Sequence, residues 1–494
     1  MNPKNIPTIS KSKYLAGLQC PLRLWHQCYN PNLASGVSPA QQALFDTGHE
    51  VGELATRLYG GGVRMESDPL RHEYAVRETF KAMKDPRVRA IYEASFVYDD
   101  VRVRVDILAR IGGGKWNLIE VKSSTRVKNE YLPDVGVQYH VLKGSGLEID
   151  RVILTHLNNQ YVYDGRELDL KSLFISSDLT QEALGYQEDL QRKLQGLKDM
   201  LGSPNPPEIV PSRHCFNPNP CEFWAHCREG LPEHWIIELG GIGQNKLVEL
   251  VSMGVQDIRS VPDSFPITEI QDRIRRCVKN NEEYISRELR GELEEVEYPM
   301  HFLDFETLGL AVPRYAGTRP YQTVPFQWSD HVLHEGGNIE HREYLCEEDK
   351  DPREEFARAL LGALGTKGSI VTYTAYEEGV IKGLAEDFPK YSERLLDTLG
   401  RVKDLHAIIR RHYYHHGFHG SFSLKSVVPA LLPEMDYKNL EIQEGQQAGL
   451  EYLRMINNST PSDEKAKIRK ALLNYCGRDT LAMVKVREEL LKRF

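Results

Sequence analysis

The alternation of apolar and polar residues predicts strands in two parts of this 494-residue chain. Within residues 95–124, two alternating runs flank Gly112, Gly113 and Gly114, which is typical of a β-hairpin that turns at the glycines. Near residue 300 a charged helical run gives way to the apolar stretch MHFLDF, which predicts a buried strand. From there to the end, strand and helix patterns alternate. The chain is therefore expected to belong to the α/β class.

Breaks in these patterns predict three domains. The segment 202–214 carries four prolines and should be largely extended, and the charged run 282–299 ends at the second break. We therefore expect domains at 1–230 and 296–494, joined by a short helical connector at 231–295.

Composition narrows the choice of function. The chain has 62 Lys and Arg against 71 Asp and Glu, a net charge of -9, so any contact with nucleic acid must come from local patches. The first residues lack an apolar signal segment, and no run of about 20 apolar residues occurs. We therefore expect a soluble, cytoplasmic protein with no membrane contact. In a reducing compartment, its eight cysteines favour metal binding or burial over disulfides.

Four of the cysteines are spaced like ligands of one metal centre. Three of them divide the stretch CFNPNPCEFWAHC into equal intervals, and the fourth stands beside a proline near the amino terminus. Zinc and a [4Fe–4S] cluster both accept four thiolates. The alternatives are four buried small hydrophobes, or a site completed by His214 or His226. The candidate ligands are Cys20, Cys215, Cys221 and Cys227.

Charged residues on the predicted hairpin suggest a second kind of metal site. Asp106 ends the alternating run VRVRVDIL, and Glu120 and Lys122 share one face of the next strand. Carboxylates from neighbouring strands can hold Mg²⁺ or Mn²⁺, and a lysine can orient the attacking water or stabilise a negative phosphorane. Gln138 follows on a predicted helix, and His49 lies upstream. Without further support, a solvated strand face is the commoner explanation of such a pattern.

Taken in order, these motifs resemble a known family. Residues 12–230 are similar to the PD-(D/E)XK nucleases of the RecB type, especially the CRISPR-associated exonucleases that bear an iron–sulfur cluster. The resemblance implies a [4Fe–4S] cluster on the four cysteines, with zinc as the alternative, and Mg²⁺ or Mn²⁺ on Asp106 and Glu120. The chain departs from the family's Gly-x-x-x-His motif, because Gly52 stands where the histidine belongs; His49 is a further candidate ligand. The implied catalytic residues are Asp106, Glu120, Lys122 and Gln138.

The connector contains Gly241-Ile242-Gly243 between two helical patterns, with Lys246 about one turn later. It resembles a degenerate helix–hairpin–helix, in which a glycine turn presents backbone N–H groups to a DNA phosphate. A helical spacer with a tight turn explains the same pattern equally well.

The last domain carries acids in buried-looking positions. Asp304 and Glu306 are set two apart in an apolar strand, hence on one face. Their burial is costly unless a divalent cation neutralises them. Tyr475 and Asp479 are four residues apart on a predicted helix, so they lie one above the other. Two acids between these ends are candidates for a further ligand: Glu377 and Asp404.

This order resembles the DEDD exonucleases of the RNase H-like fold over residues 298–494, and most closely a bacterial domain of uncharacterised function found behind RecB-like nucleases. The stretches VPFQWSDH, GSFSLKSVVPALLP and YCGRDTLAM carry the likeness. In that superfamily two metal ions held by four acids activate a water and stabilise the leaving 3′ oxygen. The resemblance implies that Tyr475 positions this water. The implied ligands are Asp304, Glu306, Asp479 and either Glu377, a departure from the usual aspartate, or Asp404.

Together, the two resemblances predict a nuclease that uses Mg²⁺ or Mn²⁺ at both sites. We expect a 3′→5′ exonuclease in the last domain, a second nuclease site in the first, and single-stranded DNA as the favoured substrate, with RNA as the alternative. The competing hypotheses are an exoribonuclease and a nucleic-acid-binding scaffold with a dead nuclease site.

Overall fold

The computed structural model divides the chain into two compact units, each built of helices and strands, which confirms the α/β class. It describes residues 7–65, 68, 71–435, 437 and 439–494. Unit 1 comprises Met1–Gly230 together with Leu310–Tyr321. Unit 2 comprises Leu231–Gly309 and Gln322–Phe494.

Unit 1 contains one mixed sheet and the helices around it. Its strands are β1 (Ile9–Ser10), β2 (Gly62–Arg64), β3 (Ala90–Tyr98), β4 (Val101–Gly112), β5 (Lys115–Lys122), β6 (Glu148–Leu157) and β7 (Phe174–Asp178). Its helices are α1 (Lys11–Gln19), α2 (Pro21–Tyr29), α3 (Pro39–Thr56), α4 (His72–Lys84), α5 (Leu132–Gly144), α6 (Leu170–Leu173), α7 (Thr180–Gly185), α8 (Gln187–Gly202) and α9 (Trp224–Cys227).

The sheet of unit 1 runs in the order β2-β3-β4-β5-β6-β7, and β1 pairs with β4. The predicted hairpin is confirmed: β4 and β5 pair antiparallel, and Gly112, Gly113 and Gly114 all have positive φ, which glycine adopts without strain. Strand β6 pairs parallel to β5, with α5 between them along the chain. This arrangement puts β5 in the middle of the sheet.

Unit 2 contains a second mixed sheet. The strands of unit 2 are β8 (Glu283–Ile285), β9 (Met300–Gly309), β10 (Thr323–Leu333), β11 (Ile339–Leu345), β12 (Ile370–Thr372), β13 (Val402–Asp404) and β14 (Tyr413–His415), of which β8 and β14 form a separate two-stranded sheet. Its helices are α10 (Gln244–Ser252), α11 (Glu269–Asn280), α12 (Leu289–Glu294), α13 (Arg353–Leu364), α14 (Tyr376–Asp387), α15 (Pro389–Leu399), α16 (Leu405–His412), α17 (Leu424–Leu431), α18 (Gly445–Ile456) and α19 (Ser462–Leu491).

Strand β9, predicted from MHFLDF, is the central strand of the main sheet in unit 2. The order is β11-β10-β9-β12-β13; β10 is antiparallel to β9, and β12 is parallel to it. Helices α13 and α14 pack on one side of β9 through an apolar cluster, and α18 and α19 contact the same strand. A residue of β9 that points away from the apolar cluster therefore faces α18 and α19.

The segment 231–295, predicted as a separate helical connector, packs within unit 2. It includes a strand, β8, which pairs antiparallel with β14. The guanidinium of Arg487 in α19 donates to the carbonyl oxygen of Leu293 at 2.8 Å. A short 3₁₀ turn, Ile236–Glu238, stands before the glycine-rich turn where helix–hairpin–helix geometry requires a helix. None of the described helices combines the length and apolar character needed to cross a bilayer.

Candidate functional site

Asp304 and Glu306 lie on one face of β9 and form the acid pair of unit 2. Their neighbours Leu303 and Phe305 pack into the apolar cluster on the other side of the sheet. On the face with the acid pair, the thiol of Cys476 in α19 lies 3.6 Å from Oδ2 of Asp304. One ligand atom from each of Asp304, Glu306 and Cys476 lies within 4.8 Å of the other two. The acid pair therefore faces α19.

Helix α19 also brings Tyr475 and Asp479 to the acid pair. Tyr475 is buried, and its burial and the nearby carboxylates raise its pKa. The hydroxyl of Tyr437 donates to Oδ1 of Asp479 at 2.5 Å. The ammonium of Lys425 in α17 lies 5.5 Å from the ring centre of Tyr475. The sequence does not predict Tyr437 and Lys425 as site residues. Each lies outside the elements that carry the acids, so neither stands at a strand or helix spacing from them.

Glu377 reaches the same site from the first turn of α14. The adjacent Tyr376 hydroxyl shares a 2.6 Å hydrogen bond with Thr307 of β9, which ties α14 to the acid-bearing strand. Glu377 is only 4 % exposed, and its Oε2 has no hydrogen-bond partner. Asp404 instead caps α16, where its Oδ1 accepts a hydrogen bond from the N–H of Ala407 at 2.9 Å. This difference favours Glu377 as the further ligand.

The four carboxylates of unit 2 repel one another. Burial raises the pKa of Asp304 well above its usual value, and Asp479, Glu306 and Glu377 raise it further. Burial and Asp479 likewise raise the pKa of Glu306, while Lys425 opposes the shift. Burial raises the pKa of Asp479 to about 6 and that of Glu377 to about 7. Buried oxygens with excess negative charge suit a hard divalent cation.

A different balance of charges surrounds Glu120 in unit 1. Lys122 lies 2.7 Å from Oε1 of Glu120 and 2.6 Å from Oδ2 of Asp134. Lys11 lies 3.0 Å from Glu120 and 3.3 Å from Asp134. Gln138 donates to Oε2 of Glu120 at 2.7 Å and to Oδ1 of Asp134 at 3.0 Å. The structure thus joins three predicted residues and adds two, Lys11 and Asp134.

Asp134 had a signal in the sequence, because it stands four residues before Gln138 on one helix face. Lys11 had none, since it is 109 residues from Glu120.

Asp106 accepts a hydrogen bond on Oδ2 from the N–H of Val121 at 2.7 Å, which puts it beside Glu120. Among the described residues, the hydrogen bonds and ion pairs of these acids do not include the predicted ligand His49, which is exposed on α3.

The pKa values in unit 1 reflect these neighbours. Burial raises the pKa of Glu120 to about 7, with Asp106 and Asp134 adding to the effect. Burial alone would also raise the pKa of Asp134, but Lys11 and Lys122 hold it below its usual range. The pKa of Lys122 lies well above normal, because the carboxylates outweigh its burial. The two ammonium groups therefore do part of the neutralisation that a cation would do in unit 2.

The four predicted cysteine ligands line one small cavity in unit 1. Its wall includes Cys20, Cys215, Cys221 and Cys227. The amide of Gln19 donates to the carbonyl oxygens of His214 and Asn219, each at 2.7 Å, which fastens the end of α1 to the later segment. Hydrogen bonds that do not involve the thiols therefore hold together two segments about 200 residues apart in the sequence.

None of the four thiols forms a disulfide. Burial raises the pKa of Cys221 to about 11, and Cys20 is among the groups that add to it. The two histidine alternatives have other neighbours: Nδ1 of His214 lies 2.5 Å from the hydroxyl of Ser212, and His226 packs edge-on against the ring of His26. In the described part of the chain, the sets of three ligand atoms within 4.8 Å of one another do not include these cysteines. Sulfurs around one zinc lie about 3.8 Å apart, so no three of the four sulfurs are as close to one another as ligands of a bound zinc would be.

Comparison with known proteins gives one finding. Residues 301–423 match a family described as a domain of unknown function (DUF2779). The matched stretch contains the acid pair and Glu377 and ends before Tyr475 and Asp479. No curated protein and no solved structure matches the chain.

Proposed function

We propose that this protein is a metal-dependent nuclease that hydrolyses phosphodiester bonds, with a 3′→5′ exonuclease site in unit 2 and a second nuclease site in unit 1. DNA is the favoured substrate. One observation carries the proposal: four carboxylates, two of them buried and two half-buried, converge from β9, α14 and α19. They are Asp304, Glu306, Glu377 and Asp479.

The donor set of unit 2 fits Mg²⁺ or Mn²⁺. All four ligands are oxygen donors, and the unpartnered Oε2 of Glu377 is a buried atom that a cation would satisfy. Ions held by these carboxylates would supply an activated water and stabilise the leaving 3′ oxygen. The central position of the acid-bearing strand in a mixed sheet also supports the RNase H-like resemblance.

The protein groups around the acids have separate tasks in this proposal. The Tyr475 hydroxyl can donate a hydrogen bond and so orient the attacking water. Tyr437 holds Asp479 in one orientation through its 2.5 Å hydrogen bond. Lys425 supplies positive charge near Tyr475, where a phosphate approaching the acids needs it.

A basic cleft in unit 1 supports nucleic acid as the substrate class. It has a volume of about 530 Å³, and Lys11, Lys13, His72, Arg102 and Arg104 contribute to its lining. Lys11 also contacts Glu120, so this lysine belongs both to the lining of the cleft and to the acid cluster of unit 1. In a chain with a net charge of -9, this is the kind of local patch that phosphate binding requires.

The second site is proposed to use Asp106 and Glu120 as ligands of Mg²⁺ or Mn²⁺, with Lys122 and Gln138 beside them. The cysteines are proposed to hold a [4Fe–4S] cluster, for which the four thiols round one cavity are suitable donors. Its task would be to fasten α2 to the segment that contains α9, and so to join the two ends of the first 230 residues.

The test is the removal of one carboxylate from unit 2. We expect Asp304→Asn to slow 3′→5′ trimming of a 5′-labelled single strand at least about 1,000-fold in Mg²⁺ or Mn²⁺, because the substitution removes a metal ligand. Tyr475→Phe should be milder, because it keeps the packing and the ligands. Asp397→Asn, on the exposed surface of α15, is the matched control and should trim like the parent.

Equal trimming by Asp304→Asn and the parent would refute the exonuclease proposal. Parallel reactions on DNA and RNA of the same sequence separate the alternatives, since an exoribonuclease would trim only the RNA. Tight binding without cleavage would favour a scaffold, a role that the lysine-neutralised acids of unit 1 would also suit.

A further inference from the structure

Unit 2 contains a second group of metal-binding side chains, formed by His234, Glu238 and His419. One ligand atom from each lies within 4.8 Å of the others. Oε2 of Glu238 lies 3.3 Å from Nδ1 of His419 and 3.8 Å from Nδ1 of His234. The two imidazole rings are stacked, with their centres 5.3 Å apart. Ligand atoms around a tetrahedral zinc lie about 3.3 Å apart, so a small adjustment would suffice.

The backbone holds the two contributing segments together independently of these side chains. Gly420, next to His419, has a φ of +73°, and a Cβ there would lie 1.7 Å from the carbonyl oxygen of Glu238. Its N–H donates to the hydroxyl of the buried Tyr414 at 3.1 Å. On the other segment, the N–H of Ile258 donates to the carbonyl oxygen of His234 at 2.8 Å. The site is therefore preformed, which favours ligand binding.

One ligand atom of the group has no hydrogen-bond partner. The side chain of His234 is 10 % exposed, and its Nδ1 is buried without a hydrogen bond. Such an atom costs stability unless something satisfies it. The 3.8 Å separation from Glu238 is too long for a hydrogen bond but suits two ligands of one cation.

We propose that His234, Glu238 and His419 bind one zinc-type divalent cation. Imidazole donors favour Zn²⁺ over Mg²⁺, and two histidines with one glutamate form a known zinc ligand set whose fourth position is left to water. The ion would fasten the segment that opens unit 2 to the loop after β14. The site is separate from the acid pair, and it does not depend on the proposed nuclease activity.

The proposal is tested by metal content and by stability, using the full-length protein after chelation and then Zn²⁺ addition. We expect Glu238→Gln and His419→Asn to bind one Zn²⁺ fewer per chain than the parent. They should also lose a Zn²⁺-dependent rise in the unfolding midpoint of about 5 °C. Asparagine tolerates the left-handed backbone of His419 (φ +49°), and glutamine keeps the size of Glu238, so both variants should fold. His416→Asn, a change to a neighbouring histidine outside the group, is the control.

Cobalt substitution separates this site from the cysteines. Co²⁺ bound to thiolates gives an intense charge-transfer band that Co²⁺ on imidazole and carboxylate lacks. We expect the two variants to keep any thiolate band and to lose only weak visible absorption. If either variant folds and binds as many Zn²⁺ ions as the parent, with the same shift in midpoint, the group is a histidine–glutamate ion pair and the proposal fails.

Discussion

At the scale of single residues, the two acid clusters differ in what neutralises them. In unit 1, Lys11 and Lys122 lie within 3.3 Å of buried carboxylate oxygens. In unit 2, Lys425 is near Tyr475, and the charged groups that most affect the pKa of Asp304 are the other three acids. The unit 2 cluster therefore has the greater need for a cation, and its stability should respond more strongly to one.

Lys122 provides the test of the unit 1 site. Lys122→Ala should abolish cleavage of circular single-stranded DNA, which has no ends, while 3′ trimming of a linear strand continues. The physical reason is that Glu120 and Asp134 lose the ammonium that lies between them. Lys128→Ala, an exposed lysine of the same unit, is the control. Loss of both activities in Lys122→Ala would show that the two sites do not act separately.

The raised pKa of Glu377 predicts how the metal-free protein responds to pH. Its pKa is about 7 in the folded state, above its ordinary value of 4.5, so folding carries an electrostatic cost above pH 7. This cost is relieved as the pH falls through 7 towards 4.5. In chelator, the unfolding midpoint of the parent should therefore rise more between pH 8 and pH 6 than that of Glu377→Gln. At pH 8 the variant should be the more stable protein; equal slopes would contradict the assigned cost.

At the scale of elements, the cysteine cavity joins α2 to the segment containing α9. We expect the parent, purified anaerobically, to be brown and to contain iron and sulfide, and Cys221→Ser to lose all three properties. The variant should also have a lower unfolding midpoint of unit 1, because the proposed cluster loses one of its ligands. Cys28→Ser, on α2 but outside the cavity, is the control. Stoichiometric zinc without iron or sulfide in the parent would instead establish that the four cysteines bind zinc.

The sequence predicts those elements and site residues that follow from the short repeat of a strand or a helix. The i, i+2 spacing of Asp304 and Glu306 and the i, i+4 spacing of Tyr475 and Asp479 follow from strand and helix geometry, and the structure has both elements where expected. Lys11 could not be found in this way, because its partners are far along the chain. The sequence predicts a separate connector at 231–295, whereas the structure pairs its strand β8 with β14. That pairing joins residues far apart along the chain, so no local pattern reveals it.

At the scale of the whole molecule, the chain passes between the two units three times. After β9 it contributes residues 310–321 to unit 1 and then returns to unit 2 at β10. This segment is anchored in unit 1, where the N–H of Gly317 donates to the carbonyl oxygen of Tyr163 at 2.7 Å and the N–H of Tyr163 donates to that of Thr318 at 2.9 Å. Ala311 packs in the same core cluster as Tyr161.

This crossing predicts that the two units are not independent fragments. A chain ending at Gly230 lacks residues 310–321, so it should unfold at a lower denaturant concentration than unit 1 in the full-length protein. Chemical denaturation followed by limited proteolysis would measure the difference. Supplying a peptide of residues 310–321 should recover part of the lost stability; a fragment as stable as the intact unit would contradict the prediction.

The same crossing bears on how such a chain can change over generations. Linear modules can be gained, lost or exchanged by recombination at one boundary, but here a single break between the units always separates one of them from part of its own sequence. An insertion or deletion within residues 310–321 changes the core of unit 1 while it also changes the connection between the two strands β9 and β10. We therefore expect the two units to be inherited together, and this short segment to tolerate less variation in length than an ordinary surface loop.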